Sequence, residues 1–75
     1  MLDREAAIAS LSHRLLGVVT LGQMAERGVD RGAVLLRTRA GTLVRMQPGV
    51  YRLASAPTSW RQDVLAAQLA AGLME

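Results

Sequence analysis

Apolar residues along this chain recur first with the period of a helix, then with that of a strand, and then with that of a helix again. Ile8, Leu11 and Leu15 fall at i, i+3 and i+7, one face of a helix, and Leu16 widens the stripe. Asp3 is placed to cap such a helix and Gly17 to end it, which predicts a first helix over roughly 4–16. After a short extended Val18-Val19, Thr20 and Gln23 form a capping box, each side chain able to satisfy an orphaned backbone N–H. A second helix therefore starts at Leu21. It is short, because Gly28 supplies a left-handed cap and Asp30 caps a third helix, Arg31 to Ala40, which Gly41 closes. Two helices joined by so tight a glycine turn suggest a helix-turn-helix.

The period then changes. Thr42-Leu43-Val44-Arg45-Met46 and Val50-Tyr51-Arg52-Leu53 are β-rich runs on either side of Gln47-Pro48-Gly49, a hairpin pattern. Strand alternation puts Val44 and Met46 on one face with Tyr51 and Leu53, so Arg45 and Arg52 are expected to project outward together. With Pro48 and Gly49 as a two-residue loop the two arginines lie opposite one another, an unfavourable pairing that an anionic partner would relieve. Ser55 to Ser59 reads as a linker, and Ser59-Trp60-Arg61-Gln62 repeats the capping-box pattern at the head of a fourth helix. From Val64 onward that helix is apolar on nearly every side, as expected of one buried all round. Reaching Met74-Glu75 without a cap, it is expected to continue into further chain or to pack against a partner.

The predicted fold is mainly α with a small β-hairpin: a winged helix-turn-helix of three helices and a two-stranded wing, with a C-terminal helix. It divides into residues 1–54 for the winged helix-turn-helix, 55–59 for the linker and 60–75 for a helix leading to a second domain. The 75 residues hold a single domain of this size, and with no Phe, one Trp and one Tyr the core must be built from Leu, Val, Ala and Met. Tyr51 and Trp60 are expected in that core, as its largest members. The absence of cysteine excludes a disulfide framework and a thiolate metal site. The charged start, Met1-Leu2-Asp3-Arg4-Glu5, does not resemble an export signal, and the apolar run from Val64 to Met74 is short of the ~20 residues of a membrane helix. A cytoplasmic protein without membrane attachment is expected.

Charge alters the picture more than composition does. The net charge is only +3, but residues 1–30 carry −1, residues 31–61 carry +6 with no acidic residue, and the tail carries −2. On the third helix Arg31, Leu35 and Arg39 share one stripe, with Thr38 beside them and Ala33, Leu36 and Ala40 facing away. Arginine on a helix in the major groove can bind guanine O6 and N7 together, and Leu35 can touch a thymine methyl. Arg45 and Arg52 suit phosphates, which position a protein without reading sequence. The candidate DNA-binding residues are therefore Arg31, Leu35, Thr38, Arg39, Arg45 and Arg52. If four phosphates are neutralised, the log–log salt slope is about −3.6. Arg37 is placed near the core.

Other chemistry is poorly supported. His13 has no carboxylate or thiol placed to activate or ligate it and reads as a surface residue, and no phosphate-cradling glycine motif is present. No catalytic residue, cofactor or metal is expected. The alternative to DNA binding is a protein-interaction module in which Leu35, Leu36 and the last helix form a homodimer or toxin-binding surface.

A helix-turn-helix followed by Gly41, then Leu43-Val44-Arg45, Gly49-Val50-Tyr51 and Trp60-Arg61-Gln62, resembles the N-terminal domain of AbiEi-type antitoxins of type IV toxin–antitoxin systems. The likeness runs from about Gly17 to Gly72 and includes Thr20, Gln23, Met24, Gly28 and Arg31. It implies a winged helix domain that binds the promoter of its own operon, with a separate C-terminal domain neutralising a nucleotidyltransferase-like toxin. Where this sequence has Gly32, Leu35 and Leu36, the family often carries further basic residues.

Overall fold

A computed structural model describes residues 4–13 and 15–73 of the chain. The elements run α1 (Arg4–His13), β1 (Val18–Thr20), α2 (Leu21–Glu26), α3 (Arg31–Ala40), β2 (Leu43–Gln47), β3 (Val50–Leu53) and α4 (Trp60–Leu73). The described residues thus form four helices and a three-stranded antiparallel sheet in the order β1-β3-β2, an arrangement compatible with a small winged helix-like domain. The proposed Asp3 cap lies outside the described residues.

The third strand is a correction to the two-stranded hairpin. Val18 to Thr20 pairs with Arg52 to Val50, so β3 is central. The sheet is covered on both sides. Toward α1, α2 and α3, Val19 and Leu43 join Ala7, Ile8, Met24, Val29 and Val34 in one buried cluster, with Tyr51 and Leu53 packed against it. Toward α4, Val18 and Val50 join Ala66 and Ala70, with Met46, Leu65 and Leu69 at the margin. A strand buried on both faces reads as a continuous apolar run rather than an alternating one. Val18 and Val19 are both wholly buried for that reason.

The first helix is shorter than 4–16: Leu15, Leu16 and Gly17 form a turn in which Leu15 N and Gly17 N both donate to Ser12 O, at 3.0 and 2.8 Å. Leu16, with φ 56°, is exposed rather than part of the apolar stripe. Gly17 follows at φ 85°, and a Cβ there would collide with that of Ala56.

The fourth helix is one-sided rather than buried all round. Gln62, Ala66 and Ala70 face inward, while Val64, Ala67, Gln68 and Ala71 are exposed. Alanine suits either environment, which made the helix look uniformly apolar. Ser59 Oγ accepts from Gln62 N at 3.1 Å, but the Gln62 side chain does not complete the box. Its Nε2 donates instead to Leu16 O at 2.8 Å and Pro57 O at 3.2 Å, joining α4 to the turn after α1. Through Ala66 and Ala70, α4 packs on the same sheet as the other helices, on its opposite side. Trp60 is 70% exposed, not a core residue, and carries the Arg61 guanidinium 5.4 Å from its ring centre.

Candidate nucleic-acid interface

The α2–α3 turn aims α3. Gly28 N donates to Ala25 O at 3.0 Å and Val29 N to Met24 O at 2.9 Å, the paired bonds of a Schellman turn, with Gly28 at φ 82°. Val29 and Met24 are buried in the same cluster, which anchors the turn. Asp30 Oδ1 then accepts from Ala33 N at 2.8 Å and starts α3. The capping box of α2 is present in full, Thr20 N donating to Gln23 Oε1 at 3.0 Å and Gln23 N to Thr20 Oγ1 at 3.1 Å. Those groups are thereby occupied in capping.

On α3 only Val34 is fully buried, with Ala33, Arg37 and Thr38 half-buried. Arg37 lies inward, as its position suggested: Nη1 donates to Ala33 O at 3.0 Å, and Nε and Nη2 both donate to Glu5 Oε1, Nε at 2.9 Å. A carboxylate of α1 therefore neutralises one of the six central cations. Arg31, Leu35, Leu36 and Arg39 are exposed. Leu36 and Ala40 do lie off the arginine stripe, but they face solvent rather than core.

The hairpin does not place its arginines together. Val44 pairs with Arg52 and Arg45 with Tyr51, whereas Gln47 pairs with Val50, so Met46 is the extra residue of a β-bulge. Gly49 has φ 76° after Pro48, a type II combination whose twist opposes that of a hairpin, and the bulge lies where the strands accommodate it. Directly paired residues share a face. Arg45 thus belongs with Tyr51, toward α3, and Arg52 with Val44 and Val18, toward α4. The one-residue shift overturns both the expected arginine pairing and the expected inner face. Arg52 is half-buried, its Nη1 donating to Leu53 O at 3.4 Å.

A groove of about 540 Å³ separates α3 from the hairpin. Arg31, Leu35 and Thr38 line it from α3, and Arg45, Pro48 and Gly49 from the hairpin, with Leu21, Val34 and Tyr51 completing it. The hairpin is held there because Leu21 N donates to Gly49 O at 2.9 Å, bonding its turn to the start of α2. Four of the six candidates are therefore brought together, and the lining contains two guanidinium groups and no carboxylate. Arg39 is exposed one helical turn beyond Leu35, outside the groove, and Arg52 is on the opposite face of the sheet. Tyr51 was missed as a groove residue because its position beside Arg45 depends on the bulge. Leu21 and Val34 carry no functional signal in the sequence.

Among the described residues no helix is long and apolar enough to cross a membrane. The model of a family described as "Transcriptional regulator, AbiEi antitoxin" matches residues 6–54, more than half of the chain and including every residue lining the groove. No curated protein and no solved structure matches significantly.

Proposed function

The chain belongs to the AbiEi antitoxin family of transcriptional regulators, and from that premise we propose that it binds double-stranded DNA as a winged helix domain. In this reading α3 enters the major groove and the β2–β3 hairpin is the wing beside the phosphate backbone. Arg31 reads a base edge, Arg39 extends the contact along the DNA major groove, and Arg45 holds a phosphate. Thr38 Oγ1 already donates to Val34 O at 2.8 Å, so toward DNA it serves as an acceptor or a packing surface. No chemical step accompanies binding, and no metal or cofactor takes part. The protein acts in the cytoplasm on the promoter of its own operon, as one partner of a toxin–antitoxin pair.

The observation that carries this reading is the groove itself, where guanidinium groups from two separate elements face one space with no acidic lining residue. Retention of the chain on a duplex of its promoter tests it. Arg31→Ala is expected to cost about 1–3 kcal/mol and to relax discrimination at one base pair. Retention that is independent of salt would contradict the proposal, since phosphate contacts release counterions.

The second reading, a protein-interaction module, is favoured by Leu36 and Trp60, which are 67% and 70% exposed. It predicts that Arg31→Glu with Arg45→Glu leaves a complex with a partner protein or a second copy intact, whereas the DNA reading predicts loss of retention on duplex.

A further inference from the structure

We propose that the groove beside Leu35 reads the 5-methyl group of a pyrimidine, so that the preferred duplex carries thymine or 5-methylcytosine next to the base pair contacted by Arg31. The inference rests on α3 being the DNA-entering helix and adds what that helix selects.

Leu35 is 49% exposed in the middle of α3, with Arg31 one turn before it and Arg39 one turn after. Leaving a leucine half-exposed forgoes part of the stabilisation its burial would give. It lines the groove with Arg31, Thr38, Arg45 and Tyr51, whereas the more exposed Leu36 does not. A leucine side chain neither donates nor accepts a hydrogen bond, so it can discriminate bases only by apolar contact and shape. Among the four standard bases, the apolar group displayed in the major groove is the methyl of thymine. 5-Methylcytosine presents the same group at the same ring carbon.

The neighbouring polar side chain strengthens the assignment. The hydroxyl proton of Thr38 is committed to Val34 O at 2.8 Å, so Thr38 offers no donor to guanine or adenine N7. Between the two arginines the groove-lining side chains of α3, Leu35 and Thr38, offer no hydrogen-bond donor. That stretch of α3 suits a methyl group better than a base acceptor; Val34 alongside adds apolar surface, as does the ring of Tyr51, whose hydroxyl is a donor from the hairpin side.

The test begins with selection from a random duplex pool by the chain and by Leu35→Ala. Retention is then measured on the selected duplex with uracil replacing thymine at each position, and with 5-methylcytosine replacing cytosine. Removing one methyl is expected to weaken wild-type binding roughly fourfold at a single position, as for one buried methyl-sized group. Leu35→Ala should bind thymine and uracil duplexes equally, while Leu35→Met should keep the preference. A loss with uracil alone assigns thymine as the source, and a gain with 5-methylcytosine at that position assigns the methylated base as well. The proposal is overturned if uracil is tolerated everywhere, if Leu35→Ala still discriminates, or if that variant changes only the sedimentation of the free chain. Salt-dependent retention without methyl discrimination would sink this inference alone. Failure to retain any duplex at low salt would sink the DNA reading with it.

Discussion

Arg37 of α3 donates from Nε and Nη2 to one oxygen of Glu5 on α1, across 32 residues of sequence, while its Nη1 donates to Ala33 O. The guanidinium is thus a brace between the helix that lines the groove and the helix behind it. The Glu5 side chain is 68% exposed, so the ionic part is screened and is worth under about 1 kcal/mol. The Arg37 side chain, only 15% exposed, also contributes its packed stem and the bond to Ala33.

Removing the two partners should therefore have unequal effects. In urea denaturation, Arg37→Ala is expected to lower stability by about 1–2 kcal/mol and Glu5→Gln by less than 1 kcal/mol. Neither should change the salt slope of DNA retention by a full unit, because Arg37 is already engaged. A slope that falls by one unit in Arg37→Ala would place that side chain on phosphate instead.

The bulge at Met46 makes a second asymmetry. Arg45 lines the groove and Arg52 lies on the α4 face, so Arg45→Ala is expected to reduce the magnitude of the salt slope by about 1 while Arg52→Ala leaves it unchanged. Equal losses for the two variants would mean that both faces of the hairpin meet DNA.

Why one hairpin arginine was misplaced follows from how local each signal is. Caps and turns depend on a few adjacent residues: Thr20 with Gln23, Gly28 with Asp30, and Gly41 all behave as their spacing predicts, and α3 has its predicted bounds. Strand faces depend on pairing register, and one extra residue reverses every face beyond it. Nothing in Val44-Arg45-Met46-Gln47 distinguishes a bulge from regular pairing. β1 was hidden differently, because three residues buried on both faces show no alternation, and their partner Arg52 to Val50 is distant in sequence. The groove was legible as a set of cations but not as a shape: Arg31 and Arg45 converge through contacts distant in sequence, among them the core shared by Val34 and Leu43 and the bond from Leu21 N to Gly49 O.

Trp60 supplies an inexpensive check on the placement of α4. As the only tryptophan, and mostly exposed, it should fluoresce near the red, solvated limit in the native state and shift little on unfolding. Trp60→Ala should change stability by no more than about 0.5 kcal/mol. A blue-shifted native spectrum would mean that this face of α4 is covered, as a dimer or a further domain would cover it.

Two glycines of similar backbone conformation are expected to differ. Gly28, at φ 82°, has open space where a Cβ would stand, so Gly28→Ala carries only the left-handed backbone penalty, about 1–2 kcal/mol. Gly17, at φ 85°, adds the collision with Ala56 Cβ to the same penalty. Thermal unfolding should therefore place Gly17→Ala below Gly28→Ala by several degrees, about 4–8 °C per kcal/mol in a domain of this size. Equal melting temperatures would show that the Ala54–Ala56 turn yields without cost.

Gln62 offers the most severe test of the packing between α4 and the rest. It is wholly buried, with Nε2 held by Leu16 O and Pro57 O, and its Oε1 has no protein partner. The two carbonyls fix the amide, because reversing it would set an oxygen against both. Gln62→Ala removes their shared donor and opens a gap beside the Leu16–Gly17 turn, so a loss of about 2–4 kcal/mol is expected from the lost bonds and cavity together. Gln62→Met keeps most of the volume and removes the unpartnered oxygen, so it should recover part of that loss while leaving the carbonyls without their donor. Hydrogen exchange should show the Gln62→Ala deficit first in α4, with α2 and α3 retaining more protection because their caps and core cluster lie on the other side of the sheet. Uniform loss of protection across both sides would show that the two clusters unfold as one unit.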